Sequence, residues 1–216
     1  QANASTGLGI EQKDRATTIY DLLVSQKFDG KSVLPTQIPD LKIIPATIDL
    51  AGAEIELVDM EKREEKLRKI LVQITNFDII IIDCPPALGL LTINGLVASN
   101  SVIIPLQCEF FALEGLTSLM STIDSVKGSF NKDLKIQGIV LTMYDRRNLL
   151  SSLVEKDVRN HLGKKVYSTV IPRNVRVSEA SSHGKPVLIY DTHCLGSQAY
   201  INLAKEVIKQ QNKSEQ

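Results

Sequence analysis

No stretch of this 216-residue chain approaches the ~18 consecutive apolar residues of a membrane-spanning helix. The first residues form no charged-then-apolar leader, so nothing points to secretion. Only three cysteines occur, Cys84, Cys108 and Cys194, odd in number and far apart, as expected of reduced thiols in a cytosolic protein. There is no CxxC pair and no Cys/His cluster, which excludes the usual patterns for a metal held by protein ligands alone. Aromatic residues are few, and none is interleaved with basic positions as a platform for stacking single-stranded nucleic acid would require. His161, His183 and His193 have no acid or nucleophile at a telling spacing and read as surface or loop residues.

What is present suits one α/β domain over residues 1–216, since 43% of the residues are hydrophobic and no linker or repeat interrupts them. A formal net charge of zero conceals an asymmetry. Residues 1–144 carry 13 Lys/Arg against 18 Asp/Glu, and residues 145–216 carry 12 against 7. A basic C-terminal third fits an anion-binding face or, equally, solvated helices. The chain starts at Gln1 and its first methionine is Met60, so it reads as a fragment or processed product.

The most informative stretch is Phe77 to Pro86. Four consecutive isoleucines, Ile79 to Ile82, lack alternation and predict a strand buried on both faces of a parallel sheet. It ends in Asp83, and Pro85-Pro86 then force the chain out of the ladder. Ligands of open α/β sheets bind at the carboxyl ends of strands, and a carboxylate there can hold Mg²⁺ beside nucleotide phosphates, directly or through water. The alternative role for Asp83 is to cap the following turn. Cys84, in the same strand end, reads as a small buried hydrophobe.

Helical spacing places helices at 14–25, 61–75, 89–98, 112–127, 151–162 and 198–209. Strands are expected at 41–45, 101–106, 135–142 and 166–171. In the helix at 112–127, Leu113, Leu116, Met120, Ile123 and Val126 face inward. In the last helix Tyr200, Leu203, Ala204, Val207 and Ile208 form the docking side, followed by a polar tail at 210–216. Strands alternating with helices of this length predict a three-layer α/β/α fold with a mostly parallel sheet.

A phosphate-cradling loop would read GxxxxGK[ST] between strand and helix. The nearest string, Ser25 to Ser32, contains Gly30-Lys31-Ser32 but lacks the first glycine and follows a helix, so it reads as a surface loop. Several ordered segments nevertheless resemble one family. These are Gln1 to Gly9, Leu50 to Leu57, Asp83-Cys84-Pro85-Pro86 through Leu91-Thr92-Ile93-Asn94, Pro105 to Gly115, Leu141 to Arg147, and Ile171 to Ala180. Together they resemble the ParA/Soj partitioning ATPases, a branch of the deviant Walker-A P-loop proteins that includes MinD.

That resemblance implies a P-loop NTPase-like fold whose first strand, P-loop, helix and second strand precede Gln1, with Gln1 matching the close of a DxDPQ motif. The family's KGGxGKT-type loop would lie in that preceding piece, leaving residues 1–216 catalytically incomplete by themselves. Asp83 matches the Walker-B aspartate, a catalytic and Mg²⁺-binding role, and Gly89 matches the segment that responds to the γ-phosphate. Asn3 is placed near the nucleotide, or caps the next helix. Met143, Pro172, Arg173 and Asn174 lie in loops that embrace the nucleotide's adenine in the family, or serve as strand-exit turns.

Non-specific binding of double-stranded DNA needs phosphate-directed cations, for which Arg173, Arg176, Lys205 and Lys209 are the candidates; Lys164 and Lys165 are further basic positions, and all these lysines suit a solvated face as well. Arg146 and Arg147 suit dimer contacts or solvation. The resemblance also implies ATP and Mg²⁺ as cofactors, a homodimer when ATP is bound, a ParB-like partner that stimulates hydrolysis, and a cytoplasmic, nucleoid-associated location. A MinD-like membrane regulator would need a C-terminal amphipathic anchor, which the polar tail does not provide. A non-catalytic DNA- or partner-binding relative is the remaining alternative.

Overall fold

The computed structural model describes residues 1–214, whose backbone falls into two compact units. The first comprises Gln1–Asn100, Thr122–Leu134 and His183–Lys185; the second comprises Ser101–Ser121, Lys135–Ser182 and the chain from Pro186 onward.

The first unit holds short helices and one hairpin: α1 (Asn3–Gly7), α2 (Ile19–Ser25), β1 (Leu34–Pro35), β2 (Lys42–Ile43), α3 (Leu50–Glu56), α4 (Lys66–Leu71) and α5 (Leu90–Ala98). A capping box starts α2, with the Asp21 carboxylate accepting from the Thr18 N–H at 2.7 Å. Leu22 and Leu23 of α2 bury against Leu67 and Ile70 of α4, and Ile19, Ile44, Leu50, Ile82 and Leu91 pack around them. The helical faces expected from spacing are therefore present in shorter helices. The 14–25 helix begins only at Ile19, after a 3-10 turn at Gln12–Asp14, and the 61–75 helix is a 3-10 turn at Arg63–Glu65 leading into α4. The strand expected at 41–45 shrinks to β2, antiparallel to β1.

The largest correction concerns the isoleucines. Residues 78–83 form no ladder, and Ile79, Ile80 and Ile81 are 62%, 45% and 86% exposed. Only Ile82 reaches the apolar core. Hydrophobicity reports what a segment would gain by burial, but a strand exists only where neighbours complete its hydrogen bonds. Among the described residues no strand supplies them, so the segment has no regular structure and Ile79 to Ile81 stay uncovered. Cys84 is likewise exposed rather than a buried hydrophobe, although its sulfur contacts α5: a Cβ at Gly95 would lie 2.6 Å from it.

The second unit carries β3 (Ser101–Gln107), β4 (Lys135–Tyr144), α7 (Leu149–Leu162), β5 (Val166–Pro172), α8 (Val175–Ser182), α9 (Val187–Tyr190), α10 (Leu195–Ser214) and the first part of α6 (Ala112–Ser129), whose residues from Thr122 on are counted in the first unit. Its sheet has the order β3-β4-β5, all parallel, with a helix in each crossover. Gly138 to Leu141 of the central strand are buried in succession, the mark of a strand covered on both faces. The α/β architecture expected from the alternating pattern is thus observed. In α6, Leu116, Ile123 and Val126 are buried as expected, whereas Leu113 and Met120 are only partly so. Cys108 is buried, which pushes its thiol up to about 11 and makes it unreactive.

The last helix docks differently from its sequence pattern. Ala199, Leu203 and Val207, at i, i+4 and i+8, pack on Val140, Tyr167 and Ile171. Ala204 and Ile208 face solvent, and Tyr200 is 38% exposed. The polar tail at 210–216 is helical as far as Ser214, and Glu215 and Gln216 lie outside the described residues. Among the described residues no helix is long and apolar enough to cross a membrane.

Candidate functional site

Asp83 ends the irregular 78–83 segment with its side chain exposed, and its carboxylate forms no hydrogen bond or ion pair among the described residues. It does not cap a turn. The loop on its C-terminal side is fastened from α5. The Thr92 hydroxyl donates to the Ala87 carbonyl at 2.6 Å and reaches the Pro85 carbonyl at 3.3 Å. Asn94, fully buried, accepts from the Leu67 N–H at 3.1 Å and donates to the Arg63 carbonyl at 2.8 Å and the Leu90 carbonyl at 3.0 Å. The Thr92-x-Asn94 pair therefore ties the loop after Asp83 to α5, and α5 to α4. Spacing alone gave neither residue a role.

Glu54, on α3, closes the start of α5. Its Oε1 accepts from the Leu91 N–H at 3.2 Å, complementing the helix's positive end. A Cβ at Gly89 would collide with that carboxylate, so glycine is what allows Glu54 to approach. Glu54 sits in one of the family-like segments, yet periodicity carries no signal for a carboxylate reaching across to another helix.

An exposed carboxylate with no partner in the fold, on a loop pinned by Thr92, is chemically suited to a hard cation. Among the described residues no group of three or more ligating side chains surrounds it. That fits Mg²⁺, which is commonly held by one or two carboxylates, several waters and substrate phosphates. Asn3, also in the first unit, is the first residue of α1 and is exposed; its amide donates to the Gln1 side chain at 3.4 Å. The capping position belongs to Ala2, so Asn3 does not cap the helix.

In the second unit the strand ends of β4 and β5 come together. Tyr144 pairs with Pro172, and the Arg173 N–H donates to the Tyr144 carbonyl at 3.0 Å. This places Met143, Pro172 and Arg173 at the carboxyl edge of adjacent parallel strands. Met143 holds a left-handed φ of 52°, a conformation costing about 1 kcal/mol or more for a residue with a Cβ. Asn174 accepts from the Arg176 N–H at 2.9 Å, opening α8, and its amide NH₂ has no partner among the described residues.

The basic candidates separate into two kinds. Arg176 is held by Glu179 at 2.8 Å and Asp191 at 3.5 Å, and Arg173 lies 3.8 Å from Glu109. Arg147 is chelated by Asp145. Lys205 and Lys209, one turn apart on α10, are exposed and form no ion pair among the described residues. They are the cations most available to an external phosphate.

An AAA domain family model matches residues 1–136. The chromosome partitioning protein ParA of Caulobacter vibrioides is 56% identical over 214 residues, covering 98% of this chain and 80% of that protein. The sporulation initiation inhibitor protein Soj of Bacillus subtilis is 52% identical over 208 residues, covering 96% and 82% respectively. Among solved structures, cobyrinic acid a,c-diamide synthase from Mycobacterium smegmatis with a bound ATP analog and magnesium superposes with a TM-score of 0.82 at 32% identity, covering 95% of this chain and 77% of that one. Identity of this depth over nearly the whole chain shows that the chain belongs to the ParA/Soj family of chromosome-partitioning ATPases.

Proposed function

We propose that this protein is a DNA-partitioning ATPase that binds Mg-ATP, pairs with a second copy when ATP is bound, and then holds DNA without sequence preference on the nucleoid. A ParB-like partner stimulates hydrolysis, which removes the differential stabilisation of the dimer and releases it. The observation carrying this reading is the 56% identity to a partitioning protein along 98% of the chain. The Mycobacterium relative with its ATP analog and magnesium supports the choice of ligand.

Each residue's part follows from its chemistry. Asp83 holds Mg²⁺, directly or through water, and the bound ion neutralises charge on the transferred phosphoryl group. Glu54 and Thr92 fix the loop that carries Asp83. Asn3 approaches the nucleotide from the start of α1. The Met143–Tyr144 and Pro172–Asn174 exits provide an adenine contact, with the Asn174 NH₂ as a donor for a ring nitrogen. Arg173 faces the same exits. Lys205 and Lys209 bind DNA phosphates, and Arg173 and Arg176 join them after giving up their acidic partners. No loop within residues 1–216 is assigned to the β- and γ-phosphates.

Sedimentation of the intact protein tests the reading. With Mg²⁺ and ATP the protein should sediment as a dimer, and with ADP as a monomer. One sedimentation coefficient under both nucleotides contradicts it.

A further inference from the structure

The edge strand β5 is bulged, and an acid from α10 fills the bulge. Between the pairs Ile139–Val166 and Leu141–Val170, β4 advances two residues while β5 advances four. Successive N–H groups of a regular strand point to opposite edges. Here the bulge turns two of them the same way: the Ser168 and Thr169 N–H groups donate to the two oxygens of Glu206 at 2.7 and 3.0 Å. Adjacent backbone N–H groups in such a concavity form an anion site, and its anion comes from this chain. Burial works against the charged carboxyl, and the bonds from Ser168 and Thr169 outweigh it, leaving Glu206 below its ordinary value.

The apolar stripe Ala199, Leu203, Val207 fixes which side of α10 meets the sheet. A stripe repeating every four residues fixes axial position poorly, since a slip of one turn presents a similar face. The paired bonds of Glu206 have no such degeneracy. Lys205 precedes Glu206 by one residue and Lys209 follows it by three, both exposed.

We propose that Glu206 is a positioning residue: its clamp on the β5 bulge sets the axial register of α10 and thereby places Lys205 and Lys209 against DNA phosphates. This rests on the DNA-binding reading above. Plain electrostatics and loss of register act on DNA affinity with opposite signs. Removing a negative charge beside two phosphate-binding lysines should tighten DNA binding, whereas losing the register should weaken it.

The probe is a linear duplex of random sequence, titrated with the intact protein in Mg-ATP across a salt series. Glu206→Gln should weaken binding about tenfold and lower the salt slope, without moving the position of the ATP-dependent dimer in sedimentation. Unchanged or tighter binding overturns the clamp. Lys205→Ala/Lys209→Ala separates this from failure of the underlying reading: the salt slope should fall by about two. An unchanged slope there removes α10 from DNA contact and the proposal with it. A fallen slope together with tighter binding by Glu206→Gln overturns the clamp alone. Hydrogen exchange of the unsubstituted protein gives a reading that does not depend on any variant folding. The Ser168 and Thr169 amides should be as protected as the β4–β5 ladder, and free exchange contradicts the clamp.

Discussion

Replacing Asp83 by asparagine should lower Mg²⁺-dependent ATP hydrolysis by the intact protein at least about 100-fold while leaving its unfolding midpoint almost unchanged. The two halves of this expectation have separate causes. Asparagine keeps the shape of the side chain but removes the charge that holds a hard cation, and its neutral amide oxygen is a much weaker Mg²⁺ ligand than a carboxylate. Stability is spared because Asp83 is exposed and has no partner within the fold among the described residues. Exposed substitutions away from such partnerships usually move stability by less than about 0.5 kcal/mol. Steady-state hydrolysis against Mg²⁺ concentration, with denaturant unfolding beside it, reads both quantities. A variant that hydrolyses normally would show that this carboxylate is not the metal ligand, and one that unfolds early would show a structural role.

Asn94→Ala should produce the largest loss of stability of any single polar substitution in the first unit, about 3 kcal/mol. Asn94 is buried and satisfies three backbone groups at once, the Leu67 N–H and the carbonyls of Arg63 and Leu90. Alanine leaves the Leu67 N–H and the Arg63 carbonyl without this partner, each at a cost of about 1 kcal/mol or more, and opens a polar cavity, whereas the Leu90 carbonyl keeps its helical bond within α5. Asn94→Asp should be no better, although it preserves size. A carboxylate can still accept from Leu67, but it has no proton for the two carbonyls and would bring an unpaired charge into the interior. Urea unfolding of the two variants checks this. Losses below about 1 kcal/mol for both would mean that the α4–α5 junction is held by its apolar contacts alone. Because Asn94 lies two residues from Thr92, loosening this junction should also free the loop behind Asp83.

The parts of the fold that were legible in the sequence are those where burial and hydrogen bonding agree. The parallel strands β3, β4 and β5 and the crossover helices α6 and α7 announced themselves by period, and their neighbours are present to complete them. The isoleucines at 79–82 show the opposite case. Their pattern states a demand for cover that no described strand meets, so Ile79, Ile80 and Ile81 lie exposed and only Ile82 packs on the core. Short helices escaped notice for another reason. Residues 50–56 and 175–182 have too few turns for a stripe to register, and tertiary contacts hold them. Asp83 stood out as a candidate because a carboxylate after an apolar run is conspicuous, and its side chain is exposed in the fold. Glu54 and Glu206 were not, since each acts on backbone N–H groups far away in sequence that only the folded chain brings within reach. Nor does residue type distinguish Lys205 and Lys209 from Arg176; the acids paired with Arg176 do.

The central claim is that nucleotide state governs attachment to DNA, and retention of the intact protein on immobilised random-sequence duplex measures it directly. With Mg²⁺ and ATP the protein should be retained, with retention falling steeply as salt rises, because phosphate contacts from lysine and arginine release counterions. With ADP it should wash through. Equal retention under ATP, ADP and no nucleotide would contradict the account.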